Sequence, residues 1–415
     1  MVYQPPAGAR DLLPLDVAQK RWVEERLQQV FERWGYHQII TSTLERLDTL
    51  MAGGAIGRST VIRIDDAEIE LGLRPELTAS IARTAVTRMA GSTYPVRLYY
   101  NGNVFRHLSE SSYNRQLEFY QAGVELLGGG GTLADAEVLL LLAECLNLLG
   151  LNQWCLILGE AGIAQSLLSP FPPHLQSQVR SAIAHLDRVT LETLPLSDQL
   201  RDRALLMLDL RGHPADVLQK VTQFELDNSQ QQALDQLKSL ISLLDQSLIQ
   251  SEQAAKIPII LDLSLLQTFD YYTGIVFEIV SDAHQPRILG QGGRYDQLLS
   301  LYHPQGKTVP GIGFVLNIED LQQVLLSTKQ LPQVTPAIDW LVVPSPQAYT
   351  AAFAYAHKLR NSHHLVRVEM DLGDRHPDSI RDYARSRCIQ QIAWISANGL
   401  PVIESLSKKG LGAGG

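Results

Sequence analysis

The sequence predicts an α+β protein, with an antiparallel sheet as its core, a helical insertion in that core and a small α/β domain after it. Three observations carry this reading. Short strand-like stretches exchange with helices in irregular order through residues 16–149, which suits an antiparallel sheet better than a doubly wound parallel one. The character then changes from about Ser169 to Lys256, where Pro170, Pro172 and Pro173 open a run of leucine-rich helical segments. Beyond Leu331-Pro-Gln-Val-Thr-Pro336, strands and helices alternate regularly, the pattern of a small parallel sheet. The expected boundaries are a core at 1–325 with its insertion at about 169–256, a second domain at 335–408 and a flexible tail at 409–415.

Asp16 to Trp34 predicts an amphipathic helix, because Val23, Leu27, Val30, Phe31 and Trp34 recur at helical spacing with polar residues between them. Gly35 ends it. Residues 36–45 predict one strand, rich in isoleucine and threonine. Leu73 to Glu76 is expected to enter a second helix, with Pro75 at an early helical position. Val96–Tyr100 and Val104–Arg106 read as strand and turn, and Phe119–Leu127 as the returning strand, stopped by the glycines at 128–131. Leu133–Leu149 reads as an apolar helix, and Gln232–Leu248 as a helix of the insertion. Ile257–Leu263 returns the chain to the core. In the second domain, Trp340–Val343, Leu365–Met370 and Ile389–Ile395 read as strands, with helices over Gln347–Arg360 and near Ser379–Arg387.

Composition narrows the function. A chain of 415 residues with 45% hydrophobic content has material for two or three cored domains. A net charge of −9 gives no bulk electrostatic reason for nucleic-acid binding. Cys145, Cys155 and Cys388 are scattered without ligand spacing, so neither structural zinc nor a disulfide framework is expected, and no metal or cofactor is implied. The start lacks the basic and apolar regions of a signal peptide, and the apolar run Val138–Ala143 is too short to cross a bilayer. The expectation is a soluble cytoplasmic protein without a membrane partner.

Several separated segments carry chemistry-bearing residues. They are Leu73-Arg-Pro-Glu-Leu-Thr78, Arg97-Leu-Tyr-Tyr-Asn-Gly-Asn-Val-Phe-Arg-His107, Gln121-Ala-Gly-Val-Glu125, Phe269-Asp-Tyr-Tyr-Thr-Gly274, Gly290-Gln-Gly-Gly-Arg-Tyr-Asp296 and Pro310-Gly-Ile-Gly-Phe-Val-Leu-Asn-Ile-Glu-Asp-Leu321. Taken singly, Glu76 and Glu125 read as solvated carboxylates and the tyrosines as core. Taken together, in this order, they resemble the class II synthetase core of histidyl-tRNA synthetase, and the C-terminal unit resembles a shortened anticodon-binding domain. The resemblance runs over nearly the whole chain. It implies a histidine pocket in which Glu76, Thr78 and Gln121 hold the α-amino group, Glu125 and Tyr272 pair with the ring nitrogens, and Tyr271 lines the slot. Gly290–Asp296 takes a supporting place beside it.

The departures from that family are as informative as the matches. Its loop reads Arg-Gly-Leu-Asp-Tyr-Tyr, and its three active-site arginines meet the phosphates of ATP. Here Arg106 keeps one of these positions as a residual phosphate site, Gln267 replaces the second and Asp320 the third. Losing one transition-state arginine costs on the order of 10³-fold in rate, and an aspartate facing phosphate adds repulsion. Thr41-Ser42-Thr43 also stands where the family has Thr-Pro. A retained amino-acid pocket beside a dismantled phosphate site resembles the ATP phosphoribosyltransferase regulatory subunits, non-catalytic relatives of the synthetase. That resemblance implies histidine as ligand, a short-form catalytic subunit as partner, a homodimer within a hetero-oligomer, and no catalytic residue, cofactor or tRNA. A functional histidyl-tRNA synthetase is the alternative reading, and a synthetase-like paralogue with another partner is a third.

Overall fold

The computed structural model describes residues 4–406 apart from 55, 65–68, 108–115, 225, 250–256, 266–270, 283–285 and 374. The expected tail at 409–415 lies outside the described residues. The chain forms two compact units, Met1–Leu331 and Pro332–Gly415.

The described strands of the first unit are β1 (His37–Gln38), β2 (Leu44–Arg46), β3 (Arg63–Ile64), β4 (Leu71–Leu73), β5 (Val96–Phe105), β6 (Glu118–Leu127), β7 (Trp154–Glu160), β8 (Arg211–Gly212), β9 (Ile259–Asp262), β10 (Ile275–Ser281), β11 (Ile288–Arg294) and β12 (Gly311–Asn317). Nine of them form one sheet in the order β1-β5-β6-β12-β11-β10-β7-β9-β8, and β2-β4-β3 form a small second sheet. Only the β1–β5 and β7–β9 pairs of the large sheet are parallel, so the core is antiparallel as the sequence predicts.

The helices of this unit are α1 (Pro14–Arg33), α2 (Leu47–Met51), α3 (Thr78–Thr87), α4 (Gly131–Leu148), α5 (Ala161–Leu168), α6 (Pro173–Ala184), α7 (Arg188–Thr193), α8 (Asp198–Leu208), α9 (Pro214–Lys220), α10 (Asn228–Ile249) and α11 (Ile318–Thr328). In α1, Val23, Leu27, Val30 and Phe31 are buried, and Gly35 follows the helix at φ +78°, a conformation that a side chain would strain. These residues pack with Ala122, Val124 and Leu126 of β6 and with Val138, Leu142 and Leu146 of α4. Each fully buried leucine or valine contributes about 1.5–3 kcal/mol. α4 is apolar on nearly every side because α1, α10 and β12 all pack on it. Since β6 alternates, its other face presents Gln121, Gly123 and Glu125. That polar face, with α3 beside it, is where the site forms.

Three local expectations need correction. Residues 36–45 are not one strand: β1 joins the large sheet and β2 the small one. The break follows from Arg74, whose buried guanidinium takes the carbonyls of Thr41 (2.8 Å) and Ser42 (3.4 Å), while the Ser42 hydroxyl donates to the carbonyl of Leu44 (2.6 Å). Pro75 does not start a helix either. α3 begins at Thr78, because Glu76 accepts the backbone N–H groups of Thr78 (2.5 Å) and Ala79 (2.8 Å) as an N-terminal cap. Residues 96–105, expected as strand and turn, are one continuous strand opposite the equally long β6. Gly102 does not interrupt it, since the missing side chain makes room for Arg74 Nη2.

In the second unit the strands are β13 (Trp340–Pro344), β14 (Val368–Met370), β15 (Gln391–Ile395) and β16 (Pro401–Ser405), with helices α12 (Tyr349–Arg360) and α13 (Pro377–Ser386). The order is β14-β13-β15-β16. The first three are parallel as expected, and β16 adds an antiparallel edge that the sequence reading lacks.

The Gly-Gly-Arg-Tyr-Asp run owes part of its sequence to stability. Arg294, at the end of β11, reaches Asp135 of α4 through Nε (2.9 Å) and Nη2 (2.5 Å), Asp296 (3.1 Å) and the Gly129 carbonyl (3.2 Å). Both Arg294 and Asp135 are buried, at 8% and 11% side-chain exposure. Removing one partner of such a pair leaves an uncompensated charge, at about 3–5 kcal/mol. Arg294→Met is therefore expected to lower the denaturant midpoint by a corresponding amount, and a wild-type midpoint would contradict the role.

Candidate functional site

The large sheet, the start of α3 and the loop before β10 enclose a pocket with about 440 Å³ of empty space, part of it open to solvent. Its wall includes Glu76, Thr78, Gln121, Glu125, Tyr271, Tyr272 and Arg106, so every proposed histidine contact and the residual arginine meet in one place. Gln267 lies outside the described residues. Asp320 is not in the wall but in the first turn of α11, where Arg287 pairs with it at 3.2 Å.

At the pocket floor Glu125 is 1% exposed. Its Oε1 accepts the Thr78 hydroxyl at 2.7 Å, and its Oε2 accepts the Tyr295 hydroxyl. Burial pushes this carboxyl up to about 8, against the two hydroxyl donors, which favour the charged form. Neighbouring Glu76 pushes it further up. The sheet makes room for Glu125 in one specific way: Gly313 of β12 sits opposite it, and a Cβ there would fall 2.0 Å from Oε2. Gly293, the next residue across, leaves space for the ring of Tyr272, whose Cδ1 a Cβ would meet at 2.7 Å.

Around this floor the polar groups are oriented. Gln121 donates its amide N–H to Asn317 at 3.2 Å, which leaves its carbonyl oxygen as an acceptor for the pocket. The rings of Tyr271 and Tyr272 lie 4.8 Å apart, their hydroxyls hydrogen-bonded to each other, and Tyr295 stands edge-on to Tyr271 at 6.0 Å. Burial holds the phenols of Tyr100, Tyr271, Tyr272 and Tyr295 above their ordinary range, so all four remain protonated around neutral pH. Burial also pushes the Glu76 carboxyl up, against its two backbone donors. Arg106 is drawn below the ordinary arginine value by burial, opposed by Glu76 and Glu319.

This is a water-poor slot whose acceptors suit an ammonium group and whose carboxyl and phenols suit an imidazole. Sequence reasoning missed Tyr100, Tyr295 and Gln291, which also line it. A signal was available for two of them. Tyr100 stands opposite Gly123 on the face that carries Gln121 and Glu125, and Tyr295 directly follows the glycine-rich strand that edges the pocket. Among the described residues, no group of three His, Cys, Asp or Glu is arranged to hold a metal ion. No described helix is long and apolar enough to cross a membrane.

Comparison with known proteins identifies the family and the fold. The family model described as histidyl-tRNA synthetase matches residues 8–321. An ATP phosphoribosyltransferase regulatory subunit of a Nostoc species is 68% identical over 411 residues, covering 98% of this chain and 100% of the relative. Those of Gloeothece citriformis and Microcystis aeruginosa are 61% and 55% identical, each over 98% of this chain and 100% of the relative. Among solved structures, an ATP phosphoribosyltransferase regulatory subunit/histidyl-tRNA synthetase from Bacillus halodurans superposes with a TM-score of 0.78 at 27% identity, covering 95% of this chain and 98% of that one. A Nostoc histidyl-tRNA synthetase at 18% identity shares the fold, with a TM-score of 0.76 over 97% of both chains.

The raised Glu125 carboxyl gives a pH test. Its folded value of about 8 lies above the usual unfolded value of 4.5. The folded state therefore retains a proton that the unfolded chain releases, and this contribution makes stability fall as pH rises between those two values. Glu125→Gln has no carboxyl to titrate. Its melting temperature is expected to drop less from pH 6 to pH 8 than that of the wild type, and parallel pH profiles would rule out a buried, proton-retaining Glu125.

Proposed function

The chain belongs to the family of ATP phosphoribosyltransferase regulatory subunits, on a histidyl-tRNA synthetase-like fold, and we propose that it senses free histidine and conveys pocket occupancy to a short-form catalytic subunit. The observation that carries the reading is that the expected amino-acid contacts gather in one pocket while only Arg106 is kept of the three expected phosphate arginines. Glu76, Thr78, Gln121, Glu125, Tyr271 and Tyr272 line one pocket, while Asp320 occupies the position of a phosphate arginine and is paired with Arg287. Gln267 replaces another such arginine in sequence. ATP activation needs cations where charge develops on phosphate, and this arrangement offers an acidic side chain instead.

A homodimer fits the exposed apolar side chains of Ile40, Leu44, Ile64 and Ile69, the first of them 82% exposed, around β1 and the small sheet. A protein that binds an end product without transforming it acts by biasing a partner's state. By linkage, partner and histidine then alter each other's affinity by one common factor.

Two measurements test the reading. The purified chain is expected to support no histidine-dependent pyrophosphate exchange and to charge no tRNA; robust exchange would restore the synthetase reading. Co-expressed with a short-form transferase, it is expected to co-purify as a hetero-oligomer whose transferase activity exceeds that of the catalytic subunit alone and falls when histidine is added. Useful coupling is about 1–3 kcal/mol, or roughly 5- to 150-fold. Separate elution of the two proteins at all salt concentrations, or activity indifferent to this chain, would favour the paralogue reading.

A further inference from the structure

The second unit holds a crevice that the proposed sensing of histidine does not use. It lies outside the carboxyl ends of β13, β14 and β15 and encloses about 1600 Å³ of empty space, part of it open to solvent. Its place follows from the topology. The two strands that come after β13 in the chain, β14 and β15, lie on opposite sides of it. α12 packs with Val342 and Ala393 on one face of the sheet, and α13 with Leu341 and Ile392 on the other. The connections therefore part beyond the strand ends, where open α/β sheets bind their ligands. Tyr349 and Phe353 of α12, Leu372 after β14 and Val402 of β16 line the crevice, each more than half exposed and Leu372 87% exposed. Apolar side chains gathered in this way around a concave surface mark a docking site.

Charge and size select the occupant. Among the described residues, Arg375 is the only lysine or arginine in the crevice wall, and Asp371 pairs with it. The arginines of α13 are taken too, Arg381 by Glu404 (2.8 Å) and Arg385 by Asp382 (3.0 Å). A nucleic-acid backbone needs cations free to meet its phosphates, and these already hold carboxylates. The space is several times the 440 Å³ of the first unit's pocket, which suits a peptide segment better than a single amino acid. One polar anchor is also provided. α12, a helix of 12 residues, has no side-chain cap at Ala348 and no acid in its first turn, whereas α13 carries Asp378 in its own. Ser345, in the crevice wall just before α12, buries its Oγ without a hydrogen-bond partner among the described residues. A carboxylate at this point would meet the open N–H groups of the helix and, after rotation about one side-chain bond, the Ser345 hydroxyl. We propose that the crevice docks the C-terminal segment of a protein partner. Its large apolar side chains lie against Tyr349, Phe353 and Leu372, and its terminal carboxylate sits at the start of α12.

Panning a display library of short random peptides with free C-termini against the immobilised full chain tests this assignment. Wild type is expected to enrich peptides that end in large apolar residues. Synthetic copies of these are expected to lose about tenfold or more in affinity when the terminal carboxylate is amidated. A similar loss is expected when the protein carries Phe353→Ser or Leu372→Ser. Both side chains are exposed, so the two variants are expected to melt with wild type, which separates a lost contact from a lost fold. No enrichment on wild type would overturn the docking site, as would enriched peptides that bind both variants as tightly as wild type. Equal affinity for the free acid and the amide would overturn the C-terminal occupant. An RNA hairpin that binds wild type and is lost by Phe353→Ser would overturn the choice of a protein over a nucleic acid. The crevice lies wholly within the second unit, so each of these outcomes leaves the histidine pocket of the first unit standing.

Discussion

The site depends on burying one carboxyl group in a sheet. Glu125 is sealed from solvent, yet it is satisfied by two hydroxyls that come from different parts of the chain, Thr78 at the start of α3 and Tyr295 just after β11. Neither bond can form unless β12 passes beside β6 without a side chain at Gly313. The Tyr295 ring needs a similar concession, since a Cβ on Gly311 would fall 2.3 Å from it. The register of β6, β12 and β11 is therefore fixed by this group as well as by the apolar face beneath. A one-residue slip of β6 would put Glu125 among α1 and α4 and turn Val124 into the pocket.

That coupling explains how much the sequence reveals. The antiparallel core, the helical stretch between Pro173 and Ile249 and the parallel strands of the second unit all follow from periodicity and proline or glycine punctuation. Gln121 and Glu125 are visibly on one face of a strand. Their meeting with Glu76 and Tyr272 is not local information, and only the family resemblance implies it. The errors share a cause. The break near Thr41 and the late start of α3 are imposed by Arg74 and Glu76, whose decisive hydrogen bonds go to backbone that no periodicity marks. β16 leaves little mark in the sequence because Pro401 opens a strand that lies at a sheet edge, where proline is tolerated and apolar alternation is weak.

The proposed loss of phosphate chemistry has a counterpart at the start of α11. Helix N-termini attract anions, which is why such ends serve phosphate sites. Here the first turn carries its own, Glu319 and Asp320. Glu319 ties the helix to β6 through the Tyr120 N–H, and Asp320 ties it to Arg287 just before β11. The terminus thus carries two carboxylates of its own where an external anion would sit, and both are raised by burial. An incoming triphosphate would have to displace these contacts as well as meet their charge. Asp320 is held by Arg287, so an arginine placed at position 320 alone would leave Arg287 facing a like charge.

The proposed sensing role gains from the absence of an activation step. In a synthetase, histidine occupancy depends on how fast adenylate forms and leaves. With no activation step, occupancy is set by concentration and affinity alone, and the whole binding free energy is available to bias a partner's equilibrium. The bias can reach the rest of the first unit by short routes. Gln121 is hydrogen-bonded to Asn317, the residue before α11, and Glu319 in the next turn holds the backbone of β6 one residue before Gln121. A ligand that pulls on Gln121 therefore acts on both anchors of α11. Under the proposed sensing role, any partner that shifts α11 changes the affinity for histidine by the same reciprocity.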